Sequence, residues 1–308
     1  MRPAPEVTVG FFGVLRNAVG AALQWRVLLL WILASWLPTA LLALPIWRSF
    51  SRQLDHSLHS VEWARHANLV MIHDLVGQTL KFGGAMLAGS GFAAAVLLLA
   101  LIPLLNGMLV TASRADRPLG FGALLQGALR EYGRMLRLLA WALIPLGIAA
   151  GLGVLCLYGV QKYARGAILE TEVLTLTRTA HALTAVLCGV ALATVDAGRA
   201  RLAYNPQRRS AIKAWWRGLR LTMAQPLRAL GLFFCITLIA ALAAGVLTLL
   251  RVELSSASLP GFLAGLVTVQ IIVAVTGWMH FARLLAMLAV TKGVRNASSR
   301  SPGIISAD

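Results

Sequence analysis

The chain has 308 residues, of which 58% are hydrophobic and only 13% are charged. Soluble domains average about 45–50% apolar and about 25% charged residues, so this composition supplies too little polar surface for a water-soluble fold. The 28 Lys and Arg residues outnumber the 11 Asp and Glu residues, which gives a net charge of +17. In a soluble protein that excess would indicate nucleic-acid binding, so the placement of the charges decides between nucleic acid and a membrane.

Six segments are apolar enough to cross a lipid bilayer as helices, which takes about 20 residues each. In chain order they are 27–47, 85–110, 138–160, 180–197, 229–250 and 261–290. The segment 48–82 is too polar to be a further span. We therefore predict an all-α, polytopic membrane protein that forms a single integral membrane domain over residues 1–308.

The bases are distributed unevenly between the two sets of flanks. Twenty of them lie in the flanks 1–26, 111–137, 198–228 and 283–308, which are called the basic flanks below. Five acids lie on the same side, four within these flanks and Asp196 at the end of the fourth span. The other flanks hold eight bases and six acids. Because Lys and Arg resist translocation, both termini are predicted to be cytoplasmic, and 293–308 a disordered cytoplasmic tail. The excess of 24 Arg over 4 Lys favours a bacterium, and so its inner membrane.

A repeat is visible where the even-numbered spans end. Each ends with a polar residue three positions before an arginine, in the pairs Thr111 and Arg114, Asp196 and Arg199, and His280 and Arg283. The arginines are 85 and 84 residues apart. This near-equal spacing predicts three pseudo-repeated helix pairs, at about 5–114, 118–201 and 206–292.

An amphipathic stretch precedes each odd-numbered span and predicts a cytoplasmic elbow helix in the membrane plane. Before the fifth span, one stripe holds Ile212, Trp215, Trp216, Leu219 and Met223. Basic residues beside such stripes are attracted to anionic lipid. The predicted lipid or partner contacts are Arg130, Arg134, Arg137, Arg209, Lys213, Trp216, Arg217 and Arg220. An ordinary loop helix packed on the bundle is the alternative. Since the bases alternate with apolar stripes, nucleic acid is not an expected partner.

Charged groups at membrane depth are the first candidates for function because they are costly there. Asp196, Arg199, His280 and Arg283 all lie in the last turns of their spans and predict a polar cluster at the inner mouth of the bundle. The alternative is a set of interface-anchoring arginines with local partners. Within the spans, Gly147-x-x-x-Gly151 predicts close helix contact.

The loop between the first two spans holds a histidine pattern. His56, His59, Glu62 and His66 fall near one face if the loop is helical, with His73 beyond them. Imidazole and carboxylate at such spacing can bind a transition metal or respond to pH, so this face is a candidate metal site or pH sensor. A helix half exposed at the membrane surface is the alternative.

Conventional catalytic motifs are missing from the sequence. It holds no GxSxG, no Walker A motif and no paired carboxylates suited to acid–base catalysis. We therefore expect no enzyme and no cofactor, with a lipid-acting membrane enzyme as a minor alternative.

The segment from Arg209-Ser210-Ala211 to Gln225-Pro226-Leu227-Arg228-Ala229-Leu230-Gly231, preceded by Asp196-x-x-Arg199-x-Arg201, carries a resemblance. It is similar to uncharacterised bacterial six-span membrane proteins, which resemble the membrane domain found beside some glycerophosphodiester phosphodiesterases. The resemblance implies the six-span architecture. It implies no phosphodiesterase activity, because the soluble catalytic domain has no counterpart here.

These observations favour a non-enzymatic inner-membrane scaffold or accessory subunit. It would bind anionic lipid, and either a protein partner or a second copy of itself, through the basic flanks. The alternatives are a transporter or permease with a path between the helix pairs, gated near Asp196 and His280, and the periplasm-facing metal or pH sensor.

Overall fold

A computed structural model describes residues 10–54, 69–166, 169–207, 210–254 and 258–299. Within these ranges all regular structure is α-helical, and no strand occurs. The described chain forms eight helices: α1 (Phe11–Ala21), α2 (Trp25–Leu54), α3 (Leu69–Arg114), α4 (Phe121–Ala164), α5 (Glu170–Tyr204), α6 (Ala211–Ala224), α7 (Pro226–Glu253) and α8 (Leu259–Ser299).

Six of these helices are long and apolar enough to cross a membrane, which confirms the predicted number of spans. The candidate spans are Trp25–Arg52, Gly83–Arg114, Phe121–Ala164, Thr171–Tyr204, Pro226–Glu253 and Leu259–Val294. Several helices extend past the apolar runs. Helix α5, for example, begins ten residues before the predicted run at Ala180, because the threonine-rich residues before it continue the helix.

The two short helices lie immediately before spans. Helix α1 is separated from α2 by residues 22–24. Between α6 and α7 stands Gln225 alone, and its extended φ of −137° breaks the helix before Pro226, since a residue preceding proline is kept out of the helical conformation. Helix α4, in contrast, runs unbroken from Phe121 to Ala164. The separate elbow helix predicted before the third span is therefore not observed.

The chain divides into two compact units. Unit 1 comprises the described parts of residues 1–24, 106–239 and 278–308. Its core includes a continuous buried stretch of α5 at residues 193–200, with Phe233 and Ile236 of α7 and Phe281 and Leu284 of α8 almost fully buried. Neither unit coincides with one of the predicted repeats, and the repeat boundaries stay a prediction.

Unit 2 comprises the described parts of residues 25–105 and 240–277. Trp36 of α2 donates its indole N–H to Gln270 Oε1 of α8 at 2.8 Å. Gly277 of α8 leaves room for the Trp31 ring, since a Cβ atom there would lie 2.6 Å from the ring. Large apolar side chains such as Leu33 and Phe92 remain exposed, as surfaces that face lipid do.

Close helix approach in unit 1 occurs at glycines other than the predicted pair. A Cβ atom at Gly147 or Gly151 would meet nothing within 4 Å in the described structure, so the predicted close contact there is wrong. At Gly107 of α3 a Cβ atom would lie 2.8 Å from the Ala128 carbonyl oxygen of α4. Only glycine allows these two helices to come so close.

Candidate functional site

Helix α6 packs on α5 through a face of small residues. The buried residues of α6 are Ala211, Ala214, Gly218, Leu221 and Thr222. A Cβ atom on Gly218 would lie 2.5 Å from the backbone nitrogen of Gly198 in α5. The absence of side chains at this crossing therefore fixes α6 against the last turns of α5.

A second face of α6 is apolar and exposed. Ile212, Trp216 and Met223 are 53%, 49% and 72% exposed. Because an α-helix turns about 100° per residue, these three side chains leave the helix in one direction, away from the buried face. An amphipathic helix lying in a membrane surface presents such a face to lipid.

The residues of the apolar stripe predicted from the sequence do not share one environment in the structure. Trp215 is half-buried, donates its indole N–H to Thr194 Oγ1 of α5 at 3.1 Å and packs against Trp141 of α4, with ring centroids 5.6 Å apart. Its neighbour Trp216 is exposed. Trp215 therefore anchors α6 to the bundle, while Trp216 belongs to the uncovered apolar face.

The third face of α6 is basic. Lys213, Arg217 and Arg220 are exposed, and the Arg220 guanidinium lies 5.6 Å from the Trp216 ring centroid. Arg209, the other predicted contact beside this helix, lies outside the described residues. The exposed bases thus stand beside the exposed apolar face, as expected at a headgroup layer.

The first five turns of α4 repeat these three faces in the same rotational order. Their buried residues are Leu124, Ala128, Glu131, Met135 and Leu138. The exposed apolar residues Leu125, Leu129 and Leu136 form a second face, and the exposed bases Arg130 and Arg137 a third. Two segments from different parts of the chain therefore present equivalent surfaces.

Arg134 does not belong to the exposed basic face, and its predicted role as a lipid or partner contact stays a prediction. Its side chain is only 11% exposed and its Nη1 lies 2.5 Å from Glu131 Oε2. The other carboxylate oxygen of Glu131 accepts a hydrogen bond of 2.7 Å from Arg114 Nη1 of α3. Glu131 thus pairs with two arginines from two helices.

The same two arginines cap the C-terminal end of α5. Arg114 donates to the carbonyl oxygens of Ala203 at 2.7 Å and Leu202 at 2.9 Å. Arg134 donates to the carbonyl oxygens of Leu202 and Asn205, both at 3.1 Å. The last carbonyls of a helix lack partners within the helix and carry partial negative charge, so the arginines satisfy both needs.

The four predicted members of the polar cluster lie within electrostatic range of one another. Asp196 Oδ1 is 2.8 Å from Arg199 Nη1, one turn along α5, and both side chains are at most 10% exposed. His280 and Arg283 of α8 interact electrostatically with both Asp196 and Arg199. Two arginines, one carboxylate and one imidazole thus share a buried region of unit 1.

Arg283 also interacts with α7. Its Nε and Nη2 donate to the Thr237 hydroxyl at 3.1 and 2.5 Å, and its guanidinium lies 4.1 Å from the Phe233 ring centroid. The Thr237 hydroxyl itself donates to the Phe233 carbonyl. Arg283 is therefore held by one neutral hydroxyl and one aromatic face, in addition to the charges of the cluster.

The predicted metal ligands His56, His59, Glu62 and His66 lie outside the described residues. Within the described ranges no group of three or more His, Cys, Asp or Glu residues could hold a metal ion. The metal and pH-sensor hypothesis stays a prediction.

A shallow groove runs between α4 and α5, and the residues that line it are not part of the basic flanks. Its apolar part has a volume of about 360 Å³ and includes Cys156, Gly159 and Leu176 in its lining. A neighbouring part of about 460 Å³ is lined by Tyr163, Glu172 and threonines, and the Tyr163 hydroxyl donates to Glu172 Oε2 at 3.2 Å.

Comparisons with models of known protein families, with curated proteins and with solved structures found no match for this chain. The resemblance to the membrane domain found beside some glycerophosphodiester phosphodiesterases therefore stays an expectation from the sequence.

Three residues with structural roles escaped prediction from sequence: Glu131, Thr237 and Gln270. Each has a partner on another helix, Arg114 for Glu131, Arg283 for Thr237 and Trp36 for Gln270. A signal was available for Glu131, because it is an isolated acid on a strongly basic flank, at a position that shares the apolar face of its helix. Thr237 and Gln270 carry no comparable signal.

Proposed function

We propose that the chain is a non-enzymatic, multi-pass protein of the bacterial inner membrane that binds anionic lipid through its cytoplasmic, basic flanks. The observation that carries this proposal is the three-faced surface of α6. The buried face fixes the helix to the bundle, the apolar face enters the lipid, and Lys213, Arg217 and Arg220 face the headgroups. Each base close to an anionic surface contributes about 1 kcal/mol to binding.

The surroundings of Arg201 support an anion beside α6. The Arg201 Nε atom is buried without an acceptor in the described structure, and Arg201 interacts electrostatically with Arg217 of α6. Two like charges so placed repel each other, and a phosphate group between them would relieve the repulsion and supply the missing acceptor.

The proposal includes the threefold repeat with cytoplasmic amphipathic segments. In support, the end of each even-numbered span contacts one such segment: α3 contacts α4 at Gly107, and α5 contacts α6 at Gly218. Helix α8 contacts α1 at Trp278, which donates its indole N–H to the Val19 carbonyl at 3.0 Å. Thr194 stands five residues before Arg199, and Trp278 stands five residues before Arg283. Each forms a hydrogen bond with a residue of a short helix.

A scaffold of this kind would bind a protein partner or a second copy of itself on the same side. The segment 198–228 holds eight bases and no acid. A partner with an acidic surface would complement it.

Lipid competition tests the proposal. The purified full chain, in an equimolar mixture of phosphatidylglycerol and phosphatidylcholine, is expected to retain mainly phosphatidylglycerol when analysed by native mass spectrometry. The triple variant K213Q/R217Q/R220Q should lose this preference by at least about fivefold, since three bases are removed. Lys162, Arg165 and Arg178 are also exposed and lie on the other flanks, so K162Q/R165Q/R178Q is the matched control. Equal loss in both triple variants, or no preference in the parent, would refute the proposal.

A further inference from the structure

The buried cluster of Asp196, Arg199, His280 and Arg283 contains more positive than negative charge. Two guanidinium groups face a single carboxylate, so the charges of these three side chains sum to +1. Asp196 and Arg199 have side chains that are 6% and 10% exposed, and Arg283 is 5% exposed as a residue. An uncompensated charge so deeply buried is costly unless a counter-charge is present.

Some hydrogen-bond donors of the cluster lack an acceptor. The Arg199 Nε and Nη1 atoms are both buried without a hydrogen-bond acceptor in the described structure. Nη1 makes a close ion pair with Asp196 at 2.8 Å but lies outside hydrogen-bond geometry. Arg283 directs two donors at one neutral hydroxyl, that of Thr237.

We infer that this cluster is a binding site for a phosphate-type oxyanion, held between Arg199 of α5 and Arg283 of α8. A tetrahedral oxyanion brings both the negative charge and the hydrogen-bond acceptors that the cluster lacks. Guanidinium groups bind such oxyanions through charged N–H bonds, and the buried Nε of Arg199 has no acceptor and can donate one. Asp196 then acts as an internal competitor, since its carboxylate occupies part of the arginine surface.

The phosphate can come from a lipid headgroup or from a free phosphate compound. Arg199 stands five residues before the end of α5 at Tyr204, about 7.5 Å along the helix axis at 1.5 Å per residue. A lipid phosphate reaches that depth from the headgroup layer, and a soluble phosphate reaches it from the aqueous side. This site is distinct from the proposed lipid-binding surface of α6. It uses different residues, which are buried, whereas those of the α6 surface are exposed.

Binding is measured with the full chain in an uncharged detergent, by titration calorimetry with inorganic phosphate against chloride at equal ionic strength. A second arm uses the chain in nanodiscs of phosphatidylcholine to which phosphatidylglycerol is added. Saturable binding in the first arm identifies free phosphate as a ligand. Saturable binding in the second arm alone, retained in the α6 triple variant K213Q/R217Q/R220Q, identifies the lipid headgroup. Either result supports the site, and binding in neither arm overturns it.

Variants that change affinity in opposite directions separate binding from folding. R199Q and R283Q are expected to weaken binding at least about tenfold, because each removes charged hydrogen bonds. D196N is expected to tighten binding about threefold or more, because it removes the competing charge. Damage to the fold would weaken all three. R178Q makes the same change on an exposed arginine of α5 and should leave affinity unchanged.

A loss in R178Q equal to that in R199Q, or weaker binding in D196N, would overturn the inference. The α6 triple variant K213Q/R217Q/R220Q distinguishes this site from the proposed function. It should retain phosphate binding in detergent while losing the preference for phosphatidylglycerol in the lipid mixture.

Discussion

Gly218 of α6 faces Gly198 of α5 so closely that a Cβ atom built on Gly218 would lie 2.5 Å from the Gly198 backbone nitrogen. The same atom would lie 2.8 Å from the Ala197 carbonyl carbon. Backbone atoms in the middle of a helix cannot move aside as a flexible side chain can. The orientation of α6, and with it the exposed apolar and basic faces, therefore depends on this crossing.

The variant G218A should destabilise the protein by about 1–3 kcal/mol, the usual cost of overpacking. Thermal unfolding in detergent, followed by tryptophan fluorescence, measures the loss. The control is G133A in α4, where a Cβ atom would meet nothing within 4 Å and where alanine should raise stability by up to about 1 kcal/mol. Equal unfolding temperatures for the two variants would contradict the close crossing.

Glu131 should matter for stability more than other acids of the basic flanks. Replacing it by Gln leaves Arg114 and Arg134 without their shared counter-charge, and removing one partner of a buried ion pair costs about 3–5 kcal/mol. Because both arginines cap α5, hydrogen exchange should also increase at the end of that helix. Asp116 is exposed, so D116N is the control and should unfold like the parent. Parent-like stability of E131Q would show that the capping network is not needed.

The hydrogen bond between Trp36 and Gln270 should couple α2 to α8 in unit 2. Hydrogen bonds between membrane helices contribute about 0.6 kcal/mol on average and about 1.7 kcal/mol at most. A double-mutant cycle with W36F and Q270L should give a coupling energy in that range. A second cycle, W36F with T248A, is the control, because the Thr248 hydroxyl donates to Ala244 of its own helix. A coupling energy of zero in the first cycle would contradict the contact.

The predicted orientation can be tested with single cysteines. Cys156, Cys188 and Cys235 are replaced by alanine, and a cysteine is placed at Lys213 or at Lys162, both exposed and on opposite sets of flanks. A membrane-impermeant maleimide added to intact spheroplasts should label position 162 and not position 213, because the basic flanks are predicted to face the cytoplasm. The reverse pattern would show that the chain is inverted.

The number of spans could be predicted because crossing a bilayer imposes one strong requirement, a helix of about 20 apolar residues. Which face of each helix is buried could not be predicted, for a physical reason. In a membrane, hydrophobicity does not distinguish a lipid-facing side chain from a packed one, whereas small size does. On α6, Ala214 and Gly218 are therefore buried while Ile212 and Met223 are exposed.

Some of the polar contacts could be predicted from the sequence, and others could not. Asp196 and Arg199 could be paired from sequence, because residues three apart lie on one side of a helix. The pairing of Glu131 with Arg114, and that of Arg283 with Thr237, depends on how separate helices pack. Local periodicity carries no information about that packing, so it places Arg134 on the exposed basic face, whereas the side chain is only 11% exposed.

The central claim is that α6 lies in the membrane surface with Met223 in lipid and Arg217 in water. Spin labels at M223C and R217C, in the cysteine-free chain reconstituted into liposomes, test it through their collision rates with oxygen and with a water-soluble nickel chelate. Oxygen concentrates in lipid and the chelate in water. We expect position 223 to be more accessible to oxygen and position 217 to be more accessible to the chelate. Greater accessibility to the chelate at both positions would contradict it, because α6 would then be a loop helix surrounded by water.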